Sequence, residues 1–354
     1  VTIMIIAKAF IKSGLVNRIT HKIIKHFGTS IISLCYGLNL ANLLIASIVP
    51  SSAARIGGMI IPIIETINNV ISSKIGSTDK IKNILLVNSL YSNAIITPIF
   101  LTSITNLVIK NILAEKFNIN LSWFYCFING ICPALFCLLL MPVVILYLLD
   151  TPDVEDIALF QQSFIKKLKV EGKLNANEIT ILFVMFFLIC GWIISDFLSI
   201  NNFMISLCGL SVILVSDLLD HEEDILRNTE LWSNLLWLSV FILITNTMND
   251  LNVLNYLLKN FIHAISLLDS TTGYVLIFLI YGYSHYFFAS STIHVTTLYA
   301  IFLTLLNSKI DTGMFNSILL LHASNLFLGL TSYTSTEAVL ITSQITIDNR
   351  KFYV

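Results

Sequence analysis

Residues 281–299, YGYSHYFFASSTIHVTTLY, limit what this chain can become more than any other stretch. An apolar segment climbs from Thr271, is interrupted by Ser290, Ser291 and Thr292, and resumes as IHVTTLYAIFLTLL. Residues 38–64, LNLANLLIASIVPSSAARIGGMIIPII, repeat the plan, breaking at Pro50, Ser51 and Ser52. A continuous bilayer span needs about 20 apolar residues, and each arm of the first segment (31–64) is shorter than that. Its arms are therefore expected to enter and return rather than cross.

Composition fixes the solvent. Hydrophobic residues make up 56% of the 354 and charged residues only 12%, at a mean hydropathy of +0.85; soluble domains carry about 25% charge. The chain reads as an all-α, polytopic, multi-pass integral membrane protein. A net charge of −1 without a basic motif offers nothing to a nucleic acid. The six cysteines lie in apolar runs with no CxxC pair, the pattern of buried cysteines rather than of a metal or redox centre. No HExxH, GxSxG or paired intramembrane carboxylates suggest an enzyme.

Along the chain, residues 1–11 read as the end of a spanning helix. Residues 15–27 form an amphipathic helix with Arg18, His21, Lys22 and Lys25 largely on one face, as in a membrane interface. Residues 66–82 are polar. Residues 84–109 carry so many hydroxyls and amides that one face must line protein or water. Residues 121–149 form a span with Pro133 and Pro142. The aqueous connection 150–178 carries four lysines and is placed in the cytoplasm by the positive-inside rule. Spans 179–199 and 202–219 follow, then a charged loop at 221–230, a span at 231–248 and an amphipathic segment at 251–266. Residues 312–328 span, and 329–347 are rich in Ser and Thr around Glu337. The apolar start at Val1 and the stop at Val354 lead us to expect missing sequence at both ends.

Broken apolar segments in each half of a chain point to a transporter binding site. Non-helical backbone survives at membrane depth only inside protein or beside water. Where each second arm begins, its first N–H groups lack intrahelical partners and carry the positive end of the helix dipole. Ser51 and Ser52 in one tip, and Ser290, Ser291 and Thr292 in the other, cap such ends and add hydroxyl donors. Two such ends facing one cavity suit a ligand with a carboxylate at each end. Carbonyls ending the first arms suit Na⁺ near Ser51 and Ser290 as a coupling ion; no other cofactor is expected. Arg55 is either a partner for substrate charge or a structural cation. His294, at the matching place after the second break, carries the same two readings.

At these residues the chain resembles the divalent anion/sodium symporter superfamily, in particular the branch of citrate/succinate and tartrate/succinate exchangers and plastid 2-oxoglutarate/malate translocators. LLIASIVPSSAARIGGMIIPI matches its first hairpin, HYFFASSTIHVTTL (285–298) its second, and SNLFLGLTSYTSTEAVL (324–340) a third motif. FLT at 100–102, with Asn106 following, is similar to the family helix after the first hairpin. The resemblance adds Thr102, Asn106 and Thr331 to the substrate-binding set. It also marks departures: Ser52 stands where Asn is usual, Ala53 where Thr is usual and Ser332 where His is usual. A hydrogen bond to a charged group contributes about 1.5–3 kcal/mol, so the altered first tip implies weaker binding.

The resemblance further implies inverted repeats, two re-entrant hairpins, elevator-type movement and a homodimer formed through a scaffold. Its division runs 1–30 (end of a scaffold helix, interfacial helix), 31–110 (first hairpin and broken helix), 111–230 (scaffold), 231–270 (scaffold and interfacial helix) and 271–354 (second hairpin and broken helix). The implied function is exchange of di- or tricarboxylates, 2-oxoglutarate for malate or citrate for succinate, in a bacterial inner membrane or a plastid-type envelope. Na⁺-coupled symport and a non-transporting or inactive binding protein remain as alternatives.

Overall fold

The computed structural model describes residues 2–149, 173–229 and 268–345, less 48, 50, 66, 69–78, 199–201, 311 and 330, with a few more between 232 and 251. The described residues are helical, with turns and bends between helices and no strand. Much of the expected cytoplasmic connection at 150–178, the amphipathic segment at 251–266 and part of the polar stretch 66–82 lie outside them.

The N-terminal helices α1 (Thr2–Lys12) and α2 (Leu15–Phe27) turn at Gly14, whose φ of +86° suits a residue without Cβ. α2 sets Leu15, Ile19 and Phe27 against the core and leaves Lys22, Lys25 and His26 exposed. Helix α3 (Ile31–Ala46) starts at Ser30, whose hydroxyl accepts from the Ser33 amide, and ends before the first tip. The helix resumes as α4 (Ser52–Arg55), which runs into a π-helical turn at Ile56–Ile60.

Helix α5 (Asp79–Ile96) tightens to a 3₁₀ turn at Thr97–Ile99. Pro98 has no N–H for the helix ladder, and the chain leaves the helix at Phe100 before resuming as α6 (Ile104–Phe117). Helix α7 (Trp123–Leu148) has 26 residues, about 39 Å at 1.5 Å each, enough to cross a bilayer. It turns Phe136, Leu139 and Tyr147 outward, as lipid contact permits and water would not. Helices α8 (Ala176–Leu198) and α9 (Asn202–Val215) pack together, and α9 packs against α1. Beyond them the loop expected at 221–230 contains a π-helical turn, His221–Leu226.

The second half repeats the plan of the first. Helix α10 (Ser270–Tyr283), capped by Asp269, ends in a 3₁₀ turn, Ser284–Phe287. After Phe288–Ser290 the chain returns as α11 (Ser291–Lys309). Helix α12 (Gly313–Leu326) tightens to a 3₁₀ turn at Phe327–Gly329, and α13 (Thr336–Thr342) follows its break. Packing crosses between halves: α11 lies on α6, and α13 on α4 and the π-helical turn at Ile56–Ile60. Both broken helices meet where α12 contacts α5.

Two expectations need correction. Ser52, Ser291 and Thr292 belong to the first turns of returning helices, so the non-helical tips lie just before them. Only Cys35 and Cys126 are buried, while Cys132, Cys137 and Cys208 are exposed and Cys190 is intermediate. In a lipid-facing helix an apolar cysteine can sit outside, so burial does not follow from hydrophobicity there.

Candidate functional site

The first tip is built around Arg55. One turn into the returning arm and 1% exposed, it donates from Nη1 to the Val49 carbonyl (3.1 Å) and from Nη2 to Asn93 Oδ1 (2.7 Å) and Thr97 Oγ1 (2.9 Å). The guanidinium thereby fastens the tip's own backbone to α5. Glu337, buried in the first turn of α13, interacts with it electrostatically. The Ser51 hydroxyl accepts from the Ala54 amide at 3.1 Å and so caps α4. Ser51 and Ser52 are both half-buried.

The second tip is less committed. Ser290 holds the N-cap position of α11, yet its side chain makes no cap bond. The hydroxyls of Ser291 and Thr292 lie 3.2 and 3.4 Å from Thr105 Oγ1, at the start of α6. All three tip residues are half-buried. The N–H groups of the first turn of α11 have no intrahelical acceptor, which leaves donors for an anion.

The break in the first broken helix joins the two tips. Thr102 Oγ1 donates to the Ala46 carbonyl at the end of α3 (2.9 Å), and Thr105, three residues on, reaches the second tip. Asn106 holds the break closed, its Nδ2 donating to the Thr97 and Phe100 carbonyls, each at 2.9 Å. Its Oδ1 accepts from Asn325 Nδ2 of α12 at 3.0 Å. In the second break Thr331 is buried with Oγ1 lacking a partner among the described residues. Thr334 donates there to the Leu328 and Thr331 carbonyls, and Ser335 caps α13.

Of the residues singled out from sequence, Thr102 and Asn106 thus fall between the tips, Ser291 and Thr292 meet the same break, and Ser51 ends the first tip, with Ser52 and Arg55 in the helical turn that follows it. Ser290 stands at the open end of α11. Thr331 sits in the second break, its hydroxyl bonded to neither tip. His294 lies under the second tip, its Nε2 2.7 Å from Ser284 Oγ and its ring against His285. Sequence reading missed Thr105 as the contact to the second tip, and Asn93, Thr97 and Asn325 as partners. Their signal was the four-residue spacing of Asn93 and Thr97 in a hydroxyl-rich helix, which places both on one face. Among the described residues, no cluster of three or more His, Cys, Asp or Glu could hold a metal ion.

Two helical hairpins and two broken helices thus bring hydroxyls and helix ends together at one polar break. The chain belongs to the family described as the sodium:sulfate symporter transmembrane region, which matches residues 1–354. It is 28% identical over 338 residues to dicarboxylate transporter 2, chloroplastic, of Spinacia oleracea, covering 94% of this chain and 60% of that one. Dicarboxylate transporter 2.1, chloroplastic, of Arabidopsis thaliana is 30% identical, with coverage of 94% and 60%. A bacterial relative, the inner membrane protein YbhI of Escherichia coli, is 24% identical, with coverage of 90% and 67%. The chain therefore spans 60% of the length of these two chloroplast relatives.

Proposed function

We propose that this chain is the core of a secondary transporter that exchanges di- or tricarboxylates, of the 2-oxoglutarate/malate or citrate/succinate type, without Na⁺. One substrate carboxylate meets the open N-terminus of α11 with Ser290, Ser291 and Thr292; the other meets the first tip at Ser51 and Ser52. The names of the chloroplast relatives support the substrate class.

Arg55 carries the choice of exchange. A sodium ion at the first tip would need hard oxygen ligands, of the kind broken helices supply through carbonyls and side chains. The Val49 carbonyl, Asn93 Oδ1 and Thr97 Oγ1 are such ligands, and the guanidinium holds all three. A fixed cation at the tip supplies the positive charge that a coupling ion would otherwise bring. The crossed packing of the two halves supports inverted repeats with re-entrant hairpins; membership of the family supports hairpins that move together, elevator-fashion, against a scaffold of α7, α8 and α9, with a homodimer formed through that scaffold.

Counterflow in proteoliposomes tests the reading. Vesicles preloaded with malate are offered labelled 2-oxoglutarate, succinate and citrate, with and without Na⁺, beside a Ser291→Ala control. Accumulation that requires internal malate but not Na⁺, and fails in the control, is the expected result. Accumulation that requires Na⁺ would overturn the assignment of exchange in favour of symport. None at all from folded protein would make the chain a binding protein or an inactive member.

A further inference from the structure

The second hairpin contains a pair of histidines to which the proposed carboxylate contacts assign no role. His285, in the 3₁₀ turn ending the first arm, and His294, in the first turns of the returning arm, stack with ring centroids 3.7 Å apart and planes inclined by 27°. Both are fully buried. Among the described residues, neither ring nitrogen of His285 has a hydrogen-bond partner, and neither does Nδ1 of His294. Buried polar atoms are normally paired, so three bare nitrogens in one stack call for a reason. The stack also closes the hairpin, because it is a direct side-chain contact between the two arms just below Ser290.

The surroundings decide what the rings can carry. Ser284 has one hydroxyl proton, and it goes to the Tyr281 carbonyl at 2.6 Å. In the tautomer with its proton on Nε2, His294 donates to Ser284 Oγ, and Nδ1 is the atom able to accept a proton. From α10, Tyr281 faces His294 at 4.7 Å, its hydroxyl paired with Ser324 Oγ of α12. Phe288 of the tip lies edge-on to His294. Tyr299 and Phe302 of α11 pack around Tyr281, and Tyr299 lies near Cys126 of α7. The main chain at Ser324 approaches His285, and that at Tyr281 approaches His294, outside good hydrogen-bond geometry. Among the described residues, no carboxylate and no other cation acts on either ring. A proton on one ring would place an unpaired charge face-to-face with the other in an apolar pocket, an arrangement that costs free energy unless it opens to water.

We propose that the His285–His294 stack is a proton-binding latch on the second hairpin: the rings stay together while neither is protonated, and proton uptake at Nδ1 of His294 or at His285 parts them and frees the tip. Its consequence for transport, faster exchange from an acidic side, rests on reading that tip as the carboxylate site.

Accessibility of the tip measures the latch without relying on transport. Val295→Cys places a thiol at a fully buried position next to His294, closed to reagents while the rings are stacked. It is labelled by a membrane-impermeant maleimide in proteoliposomes, normalised at each pH to the same protein denatured. Labelling is expected to rise about tenfold between about pH 7.5 and about pH 5.5, the range in which histidine takes up a proton. His285→Phe, which keeps a ring in the stack but cannot bind a proton, should flatten much of that rise at unchanged labelling near neutrality. His285→Phe with His294→Gln should abolish it. A rise that persists in the double variant, or none in the parent, would overturn the proposal. Protection of the introduced thiol by malate reports separately on the carboxylate site: pH-gated labelling without malate protection would sink the substrate reading and leave the latch standing.

Discussion

Asn325 Nδ2 donates to Asn106 Oδ1 at 3.0 Å, though the two residues lie 219 positions apart in sequence. The bond ties the two broken helices together where each loses its regular backbone. Asn106 is the more committed partner, since its own amide also serves the Thr97 and Phe100 carbonyls, whereas among the described residues Asn325 otherwise donates to the Leu321 carbonyl alone.

That asymmetry orders two substitutions. Each buried group left unsatisfied costs about 1–3 kcal/mol. Asn106→Leu strands two carbonyls and the Asn325 amide, and should destabilise the protein by about 3 kcal/mol or more. Asn325→Leu should cost roughly half as much. Reversible unfolding in mixed micelles reads both, and equal losses would show that the break is not held by Asn106.

Thr105→Val removes the hydroxyl facing Ser291 and Thr292 while keeping a similar shape. Loss of one hydrogen-bonding group at the proposed carboxylate site should weaken malate binding about tenfold, the equivalent of about 1.4 kcal/mol. The melting temperature should barely change. Titration calorimetry on purified protein checks the affinity, and an unchanged dissociation constant would remove Thr105 from the site.

Arg55 tests differently, because its role in folding and its proposed role in charge are separable. Arg55→Met leaves Asn93, Thr97 and the Val49 carbonyl without their donor and Glu337 without its cation, at a cost of about 3–5 kcal/mol. Arg55→Lys keeps the charge but not the fork that reaches three acceptors. It should recover part of the stability and little of the tip's rigidity. Expression and thermal unfolding rank the three proteins; Lys equal to Arg would mean that charge alone holds the tip.

Lys12 and Lys8 meet Asp224 at 2.6 and 3.5 Å, tying α1 to the π-helical turn at His221–Leu226 in the charged loop after α9. Burial pushes the Asp224 carboxyl up, but the Lys12 ammonium, the Asp220 amide and Lys8 bring it below the usual aspartate range. A carboxylate held low in the folded state adds stability that is complete above its unfolded value, near pH 4, and is lost as pH falls through the folded value. The melting advantage of the native protein over Asp224→Asn should thus be full near neutrality and shrink below about pH 4. An advantage independent of pH would assign the stabilisation to packing.

The breaks were legible because a bilayer leaves few ways to satisfy a helix end, and Ser51, Ser290 and the Ser-Ser-Thr run advertise those ways locally. Helix α8 was legible as a long apolar run, whereas α9, expected over 202–219, stops at Val215 after 14 residues. What local sequence did not carry was pairing between the halves. Nothing near Thr105 says that it faces Ser291, 186 residues on, and nothing near Arg55 says which oxygens it collects. Both follow from how helices cross, which periodicity along one helix leaves open.

The crossed packing also bears on how the protein is made. When α6 leaves the ribosome, the partners of Thr105 and Asn106, 186 and 219 residues further along the chain, have still to be synthesised. At about 5–20 residues per second, they arrive roughly ten to forty seconds later. For that interval the first half waits in the bilayer with amide and hydroxyl groups that lipid cannot satisfy. It must be sheltered by the insertion machinery, or stay loosely folded, until the second half closes over it.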